Sequence, residues 1–194
     1  MLFFETIALE QNRPRHLFYH QQRVNKTAKA HGFQAIELAS YLHNLQGQKA
    51  KIVYGKEGVH SVAATPYISK NINSLQLCYT DVNYCFKYLD RSVLETHVST
   101  TADEMLFVVD GLLTDTSIAN TAFLYNNQWI TPKIPLLEGT TRARLLDKGM
   151  LAVADIDAND LDKMEKIAVM NAMIGFKPLS HCQICKGEKC ILTL

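Results

Sequence analysis

The sequence predicts a mixed α/β protein built in two parts, and three observations predict it. Apolar residues recur at helical spacing in two early segments, each followed by a glycine, Gly32 and Gly47, the residue that most readily adopts the left-handed helix stop. Short apolar alternations, too brief for helices, recur along the rest of the chain. No repeat or low-complexity linker interrupts them, and the pattern has a seam near residues 80–83.

In chain order, residues 3–9 form a strand of mixed polarity, and Asn12, Arg13 and Pro14 a turn. Residues 15–31 read as a helix with Leu17, Val24 and Ala28 on one side and Gly32 at its C′ position. Residues 35–46 repeat the device, with Ile36, Ala39, Leu42 and Leu45 in phase and Gly47 as the stop. Strands over 51–54 and 59–64 flank Gly55-Lys56-Glu57-Gly58, a hairpin signal, and Pro66 interrupts the sheet pattern. Leu75, Leu77 and Tyr79 alternate in a strand over 73–79, and the aromatic-rich residues 83–89 extend a sheet. Asp90 caps a short helix running to His97. Buried strands follow at 105–109 and 121–125, with Asn126-Asn127 turning the chain before Trp129. A helix over 141–147 stops at Gly149. A strand at 151–156, a short helix at 159–164 and a core strand at 167–170 complete the series before Gly175 and Pro178.

The chemistry concentrates in residues 103–142. An apolar run ends at Asp110-Gly111, a polar turn Thr114-Asp115-Thr116-Ser117 leads to Asn120, and Gly139-Thr140-Thr141-Arg142 opens a helix. Free amides and the positive end of the dipole suit an anionic phosphate there. Arg142 stands where the dipole disfavours a cation, so a nearby anion would explain it; a Thr cap with a solvated Arg is the plain alternative. Lys87 lies among Phe86, Tyr88 and Leu89. It either snorkels its ammonium to water or is a desolvated amine of lowered pKa suited to carbonyl chemistry.

Composition narrows the classes. The 194 residues suffice for one domain or two small ones, and 47% hydrophobic with 20% charged residues describes a globular protein. A net charge of +1 without a Lys/Arg block gives no case for nucleic acid or an acidic membrane. The opening MLFFETIALE has no basic n-region, and no apolar run reaches bilayer length, so a soluble cytoplasmic protein is expected. Of five cysteines, His181-Cys182, Cys185 and Cys190 have the residue types for zinc. Loose spacing, an odd count and no secretion signal favour free thiols and no metal.

At Asp115 the pieces join. Asp115-Thr116-Ser117-Ile118-Ala119-Asn120, then Trp129-Ile130-Thr131-Pro132, then Gly139-Thr140-Thr141-Arg142 together resemble the class IV aminotransferase family of pyridoxal-phosphate enzymes. That family includes branched-chain and D-amino acid aminotransferases and 4-amino-4-deoxychorismate lyase. Upstream, Phe4-Glu5-Thr6 resembles the family's FET strand, and residues 20–29, HQQRVNKTAK, its H-x-x-R-L-x-x-S-A-K helix. Phe86-Lys87-Tyr88-Leu89-Asp90-Arg91 is similar to the Schiff-base lysine segment, closest to the lyase's K-H-L-N-R. Val169-Met170-Asn171-Ala172-Met173 is similar to the lyase's I-C-N-A-L. The matches keep the family's order over residues 4–179.

The resemblance implies an α/β (α+β) two-part fold, with a small N-terminal part at residues 1–82 and a larger β-rich, cofactor-binding part at 83–194. It implies pyridoxal 5'-phosphate as cofactor, a small-molecule substrate and a homodimer. Lys87 would be the covalent anchor and proton-transfer base, and Asp115 would face the pyridine nitrogen. Arg23, Thr140 and Thr141 would hold the phosphate, with Asn171 near it and Trp129 on the ring face. Asp115 stands where the family's usual residue is Glu, and Asp90 where the lyase has Asn. Roughly thirty residues that usually precede the FET strand are missing. Three functions follow: a lyase releasing pyruvate to leave 4-aminobenzoate, a folate precursor; an amino-acid aminotransferase, with the Ala172 and Met173 amides for the substrate carboxylate; or a non-catalytic remnant.

Overall fold

Strand alternation gives residues 2–10 two faces, and the residues in phase on one of them are Phe3, Glu5, Ile7 and Leu9, all buried. The computed structural model describes residues 1–97 and 102–194, which fall into two units. The first comprises Met1–Ser69 and Phe86–Arg91. Here β1 (Leu2–Glu10), β2 (Arg13–Pro14), β3 (Lys49–Gly55) and β4 (Gly58–Thr65) form an antiparallel sheet in the order β2-β1-β3-β4. The hairpin expected at residues 55–58 joins β3 to β4. Helix α1 (Leu17–His31) buries His20, Val24, Thr27 and Ala28, one stripe at helical spacing, and ends as expected at Gly32 with φ 67°.

The helix expected over 35–46 is replaced by a single 3-10 turn, Leu38–Tyr41. Of the expected face Ile36 and Leu42 are buried while Ala39 and Leu45 are half-buried, and Leu38, outside that phase, is buried too, because α1 has captured the backbone at Ile36 and Leu38. The Gln21 amide donates to Ile36 O and accepts from Leu38 N–H, so neither group is left for a helical ladder. Asn44, at φ 60°, bends the remainder.

Residues 86–91 return to the first unit, where Tyr88 forms an isolated antiparallel bridge with Phe3 of β1. Phe4 N–H donates to Lys87 O at 3.0 Å and Leu89 N–H to Leu2 O at 2.9 Å, and Phe86 and Tyr88 pack on the Phe3 core. The chain therefore changes unit at 69/70, 85/86 and 91/92, where the sequence reading has one crossing at 82/83.

The second unit, Lys70–Cys85 with Ser92–Leu194, holds two five-stranded sheets. One runs β14-β13-β5-β6-β7, from β5 (Ser74–Tyr79), β6 (Glu104–Val109), β7 (Leu112–Thr116), β13 (Gln183–Lys186) and β14 (Lys189–Thr193). The other runs β10-β9-β8-β11-β12, from β8 (Asn120–Tyr125), β9 (Gln128–Pro132), β10 (Ala152–Ala154), β11 (Lys166–Asn171) and β12 (Gly175–Pro178). Leu75, Leu106 and Val108 of the first sheet share a core with Phe123, Ile167 and Val169 of the second. On the opposite face of β8 and β11, Ala122, Ala168 and Met170 pack against Leu145 of α3 (Thr140–Asp147).

Residues 114–116, expected as a turn, belong to strand β7: the Thr114 hydroxyl donates to Phe107 O on β6 and the Thr121 hydroxyl to Thr114 O. Polar side chains there bind neighbouring backbone, so their polarity signals burial with partners and not a loop. The helix expected to reach His97 spans Ser92–Glu95 (α2), and that at 159–164 is a 3-10 turn, Ala158–Lys163, capped by Asp157. The strand at 151–156 is trimmed to β10. Among the described residues no helix is long and apolar enough to cross a membrane.

Candidate active site

In the first unit the chemistry gathers on both sides of β1. Pinned to β1 by its own carbonyl, Lys87 holds its amine 4.4 Å from the centroid of the Phe4 ring. Lys51 lies 4.9 Å from the same ring. Desolvation pulls the Lys87 pKa down to about 7; Arg23, Arg91 and Lys51 act the same way and Glu5 opposes them. Of the two sequence alternatives, this environment matches the desolvated amine: much of the population is uncharged and nucleophilic at neutral pH.

On the core face, Glu5 is fully buried and accepts a forked pair of bonds from Arg23, Nε to Oε1 at 2.8 Å and an Nη to Oε2 at 2.6 Å. His20 Nδ1 lies 2.6 Å from Oε2. Burial alone would raise this carboxyl, but the Arg23 charge and the bonds from His20 and Arg23 outweigh it and hold the pKa down to about 2. The structure thus gives Arg23 a carboxylate that sequence reasoning left without a role. Its signal was legible: Glu5 is in phase with Phe3, Ile7 and Leu9, while His20 and Arg23 flank the apolar stripe of α1.

In the second unit Asp115, on β7, is buried. Its Oδ2 accepts the Leu137 N–H at 3.0 Å, and Asn120 Nδ2 donates to Leu137 O at 2.7 Å. Two side chains thereby pin both backbone polar groups of one residue, Leu137, just ahead of α3. Gly139 caps that helix, pressed so close that a Cβ there would lie 1.8 Å from Asn120 Oδ1. No side chain caps the first amides at Gly139, where Thr140 and Thr141 are buried. Asp115 and the helix start are thus brought together through Leu137 and Asn120. Arg142, the cation that seemed to need an anion, donates to Pro132 O at 2.8 Å and has Asp115 and Glu138 as its negative neighbours.

The remaining expected residues lie in the same unit. Trp129 packs edge-on against Phe176, ring centroids 5.0 Å apart, beside the Leu145 cluster. Asn171 donates to Ile118 O at 3.1 Å, and its Oδ1 accepts the Met173 and Ile174 amides at 2.9 and 3.1 Å. Of the two amides expected to receive a substrate carboxylate, Ala172 and Met173, the second is therefore committed to Asn171.

Burial lifts Asp115 to about 7, although Asn120, the Leu137 amide and Arg142 all favour the carboxylate. A carboxyl raised on folding stabilises the fold fully below its unfolded pKa and loses that contribution as pH rises through the folded value. The cofactor-free protein should therefore lose stability, through this group, as pH rises from about 4 to about 7. Asp115→Asn should remove that slope; thermal midpoints of both proteins at pH 5 and pH 8 check it, and parallel shifts would refute it.

The model of the amino-transferase class IV family matches residues 85–182, the stretch holding Lys87, Asp115, the α3 start and Asn171. The chain belongs to that family. An uncharacterized protein of Haemophilus influenzae is 30% identical over 186 residues, covering 89% of this chain and 97% of its own. The crystal structure of a protein from Haemophilus somnus 129PT, described as a putative 4-amino-4-deoxychorismate lyase, is 33% identical with a TM-score of 0.81, over 90% of this chain and 97% of that one. A hypothetical aminotransferase from Mycobacterium tuberculosis, in its PLP-bound form, shares the fold at 16% identity and a TM-score of 0.78, over 100% of this chain and 84% of its own.

As a class IV member the protein is an enzyme of a pyridoxal-phosphate-dependent family, and its two-part α+β architecture matches the family's. Its residues fit such a group. Asp115 Oδ1 is buried with no hydrogen-bond partner among the described residues, an acceptor suited to a donor such as a protonated ring nitrogen. Lys87 offers an amine depressed to about 7, and the helix start offers uncapped amides.

Proposed function

We propose that the protein is a pyridoxal-phosphate-dependent lyase of the 4-amino-4-deoxychorismate type, releasing pyruvate and leaving 4-aminobenzoate. The observation that carries the reading is the desolvated Lys87 amine over Phe4, set in the lyase-like segment K-Y-L-D-R. The 33% identity to the Haemophilus somnus protein supports the same choice. Lys87 would anchor the cofactor until the substrate amine displaces it and frees Nζ as a base, Asp115 would accept from the ring nitrogen, and Arg23 with the Thr140 and Thr141 amides would receive the phosphate. Trp129 would contact the ring face and Asn171 would lie near the phosphate. Bound pyridoxal phosphate supplies an electron sink conjugated to the substrate amine. Lys87 Nζ takes the proton from the ring carbon that bears that amine. The bonding pair left behind closes the aromatic sextet as the adjacent C–O bond breaks, and the departing enolpyruvate takes up a proton to become pyruvate.

An aminotransferase on the same cofactor would use the Ala172 and Met173 amides for its substrate carboxylate. Of these, the Met173 amide is already bonded to Asn171, so the choice of the lyase rests on the K-Y-L-D-R segment and the similarity above. The protein would act on its small-molecule substrate as a cytoplasmic homodimer. The decisive assay supplies purified protein and pyridoxal phosphate with aminodeoxychorismate, and separately with amino acids plus 2-oxoglutarate. Equal yields of 4-aminobenzoate and pyruvate are expected; glutamate formation without 4-aminobenzoate would replace the lyase by the aminotransferase. Light scattering that finds a monomer would remove the dimer.

A further inference from the structure

The C-terminal hairpin carries two thiols that the cofactor chemistry does not use. Strands β13 and β14 pair antiparallel, with Lys186 opposite Lys189 and Cys185 opposite Cys190. Only Gly187 and Glu188 separate the strands, and Gly187 has φ 59° with no positive φ at Glu188. That is the pattern of a two-residue II′ turn, whose flanking residues form the first hydrogen-bonded pair. The next pair out, Cys185 with Cys190, is then a non-hydrogen-bonded pair, where opposed Cα atoms lie about 4.5 Å apart and side chains of one face approach closest. A disulfide needs Cα atoms roughly 4.4–6.8 Å apart with converging Cβ vectors. The register shift between Ile184 and Cys185 supplies local adjustment.

The other cysteines are placed differently. Cys182 is buried in the core, where burial pushes its thiol up to about 12. Cys78 is half-buried and Cys85 exposed, and each is paired across no strand with another cysteine. Cys190 is exposed and Cys185 half-buried beside it; burial first, then the Cys190 thiol, hold Cys185 above the ordinary thiol range. Such an arrangement suits an entry thiol facing solvent and a resolving thiol behind it.

We propose that Cys185 and Cys190 are a reversible dithiol–disulfide site, oxidised by low-molecular-weight disulfides and reopened by thiols. The Cys190 thiolate attacks one sulfur of the small disulfide and expels one small thiolate. The Cys185 thiolate then attacks Cys190 Sγ and expels the second. Two protein thiols and one small disulfide thus give one protein disulfide and two small thiols, with electrons and protons balanced. The bond ties β14, the edge strand of its sheet, to β13. Closing so short a loop constrains the unfolded chain little, and an exposed bridge stays accessible to reductant, so the site is a labile one.

The test uses the purified full chain incubated in glutathione disulfide, quenched in acid, alkylated and analysed by mass spectrometry. The expected product loses two hydrogens, carries no glutathione at residue 190, and loses alkylation at residues 185 and 190 together; dithiothreitol restores both. Cys185→Ser should trap glutathione at Cys190, because the resolving thiol is gone, while Cys190→Ser should leave Cys185 alkylatable. A stable glutathione adduct at Cys190 in the unaltered protein, or full alkylation of both residues after oxidation, would overturn the site. Neither outcome bears on the lyase reading.

Discussion

Replacing Lys87 by alanine should lower turnover by about 10⁴-fold or more, the upper range for loss of a positioned proton-transfer group, with the covalent anchor lost as well. The same variant should show no yellow colour that borohydride fixes to the protein. The fold should survive, because the structural contribution of Lys87 is its carbonyl bond to Phe4 N–H, which alanine keeps. One competitor exists: Lys51, whose amine lies 4.9 Å from the Phe4 ring. A variant that remains yellow and fixes cofactor at Lys51 would show that the ring environment, and not residue 87 alone, selects the amine. Retained turnover with no lysine modified would remove Lys87 from the chemistry altogether. Uptake of pyridoxal phosphate by the cofactor-free protein should quicken as pH rises through about 7, where the free amine loses its proton.

Parts of this site were legible before the fold was. Alternation revealed β5, whose buried face has a period of two; the turn signal at residues 55–58 revealed the β3–β4 hairpin, and short apolar runs, buried on both faces, revealed β8 and β11. The α3 start was legible from Gly139 and its threonines. Other features were hidden where tertiary bonds overrode local pattern. Residues 35–46 have helical periodicity, yet the Gln21 side chain takes the backbone groups the helix would use. Residues 114–116 look like a turn because Thr and Asp favour turns, yet Asp115 accepts an amide from twenty-two residues away. β9 and β12 flank the β8–β11 pair, and their short runs mix polar and aromatic residues, giving no clean period. The roles of Glu5 and His20 were missed for another reason: a charged residue in an apolar phase looks like an exception until its partner, eighteen or fifteen positions on, is seen to face it.

Glu5→Ala should cost about 3–5 kcal/mol, the usual penalty for removing one partner of a buried pair and leaving the other charge uncompensated. For a chain of this size that lowers the melting midpoint by roughly 10 °C. The pH dependence makes the prediction specific. The folded pKa is depressed from 4.5 to about 2, so the carboxylate contributes its full stability above the unfolded pKa. It loses that contribution as pH falls through the interval from about 4.5 to about 2. The linked amount is about 3 kcal/mol, of the same order as the truncation penalty, as it should be if the ionised form makes the interaction. Urea unfolding of both proteins at pH 7, 5 and 3 measures it. The difference in margin between the unaltered protein and the alanine variant, in which the Asp115 contribution cancels, should be similar at pH 7 and 5 and clearly smaller at pH 3. Glu5→Gln, which keeps the volume and one acceptor, should lose less than alanine and show no such slope. A difference that stays flat down to pH 3 would mean that Glu5 stabilises the first unit by filling space, and that Arg23 takes its orientation from elsewhere.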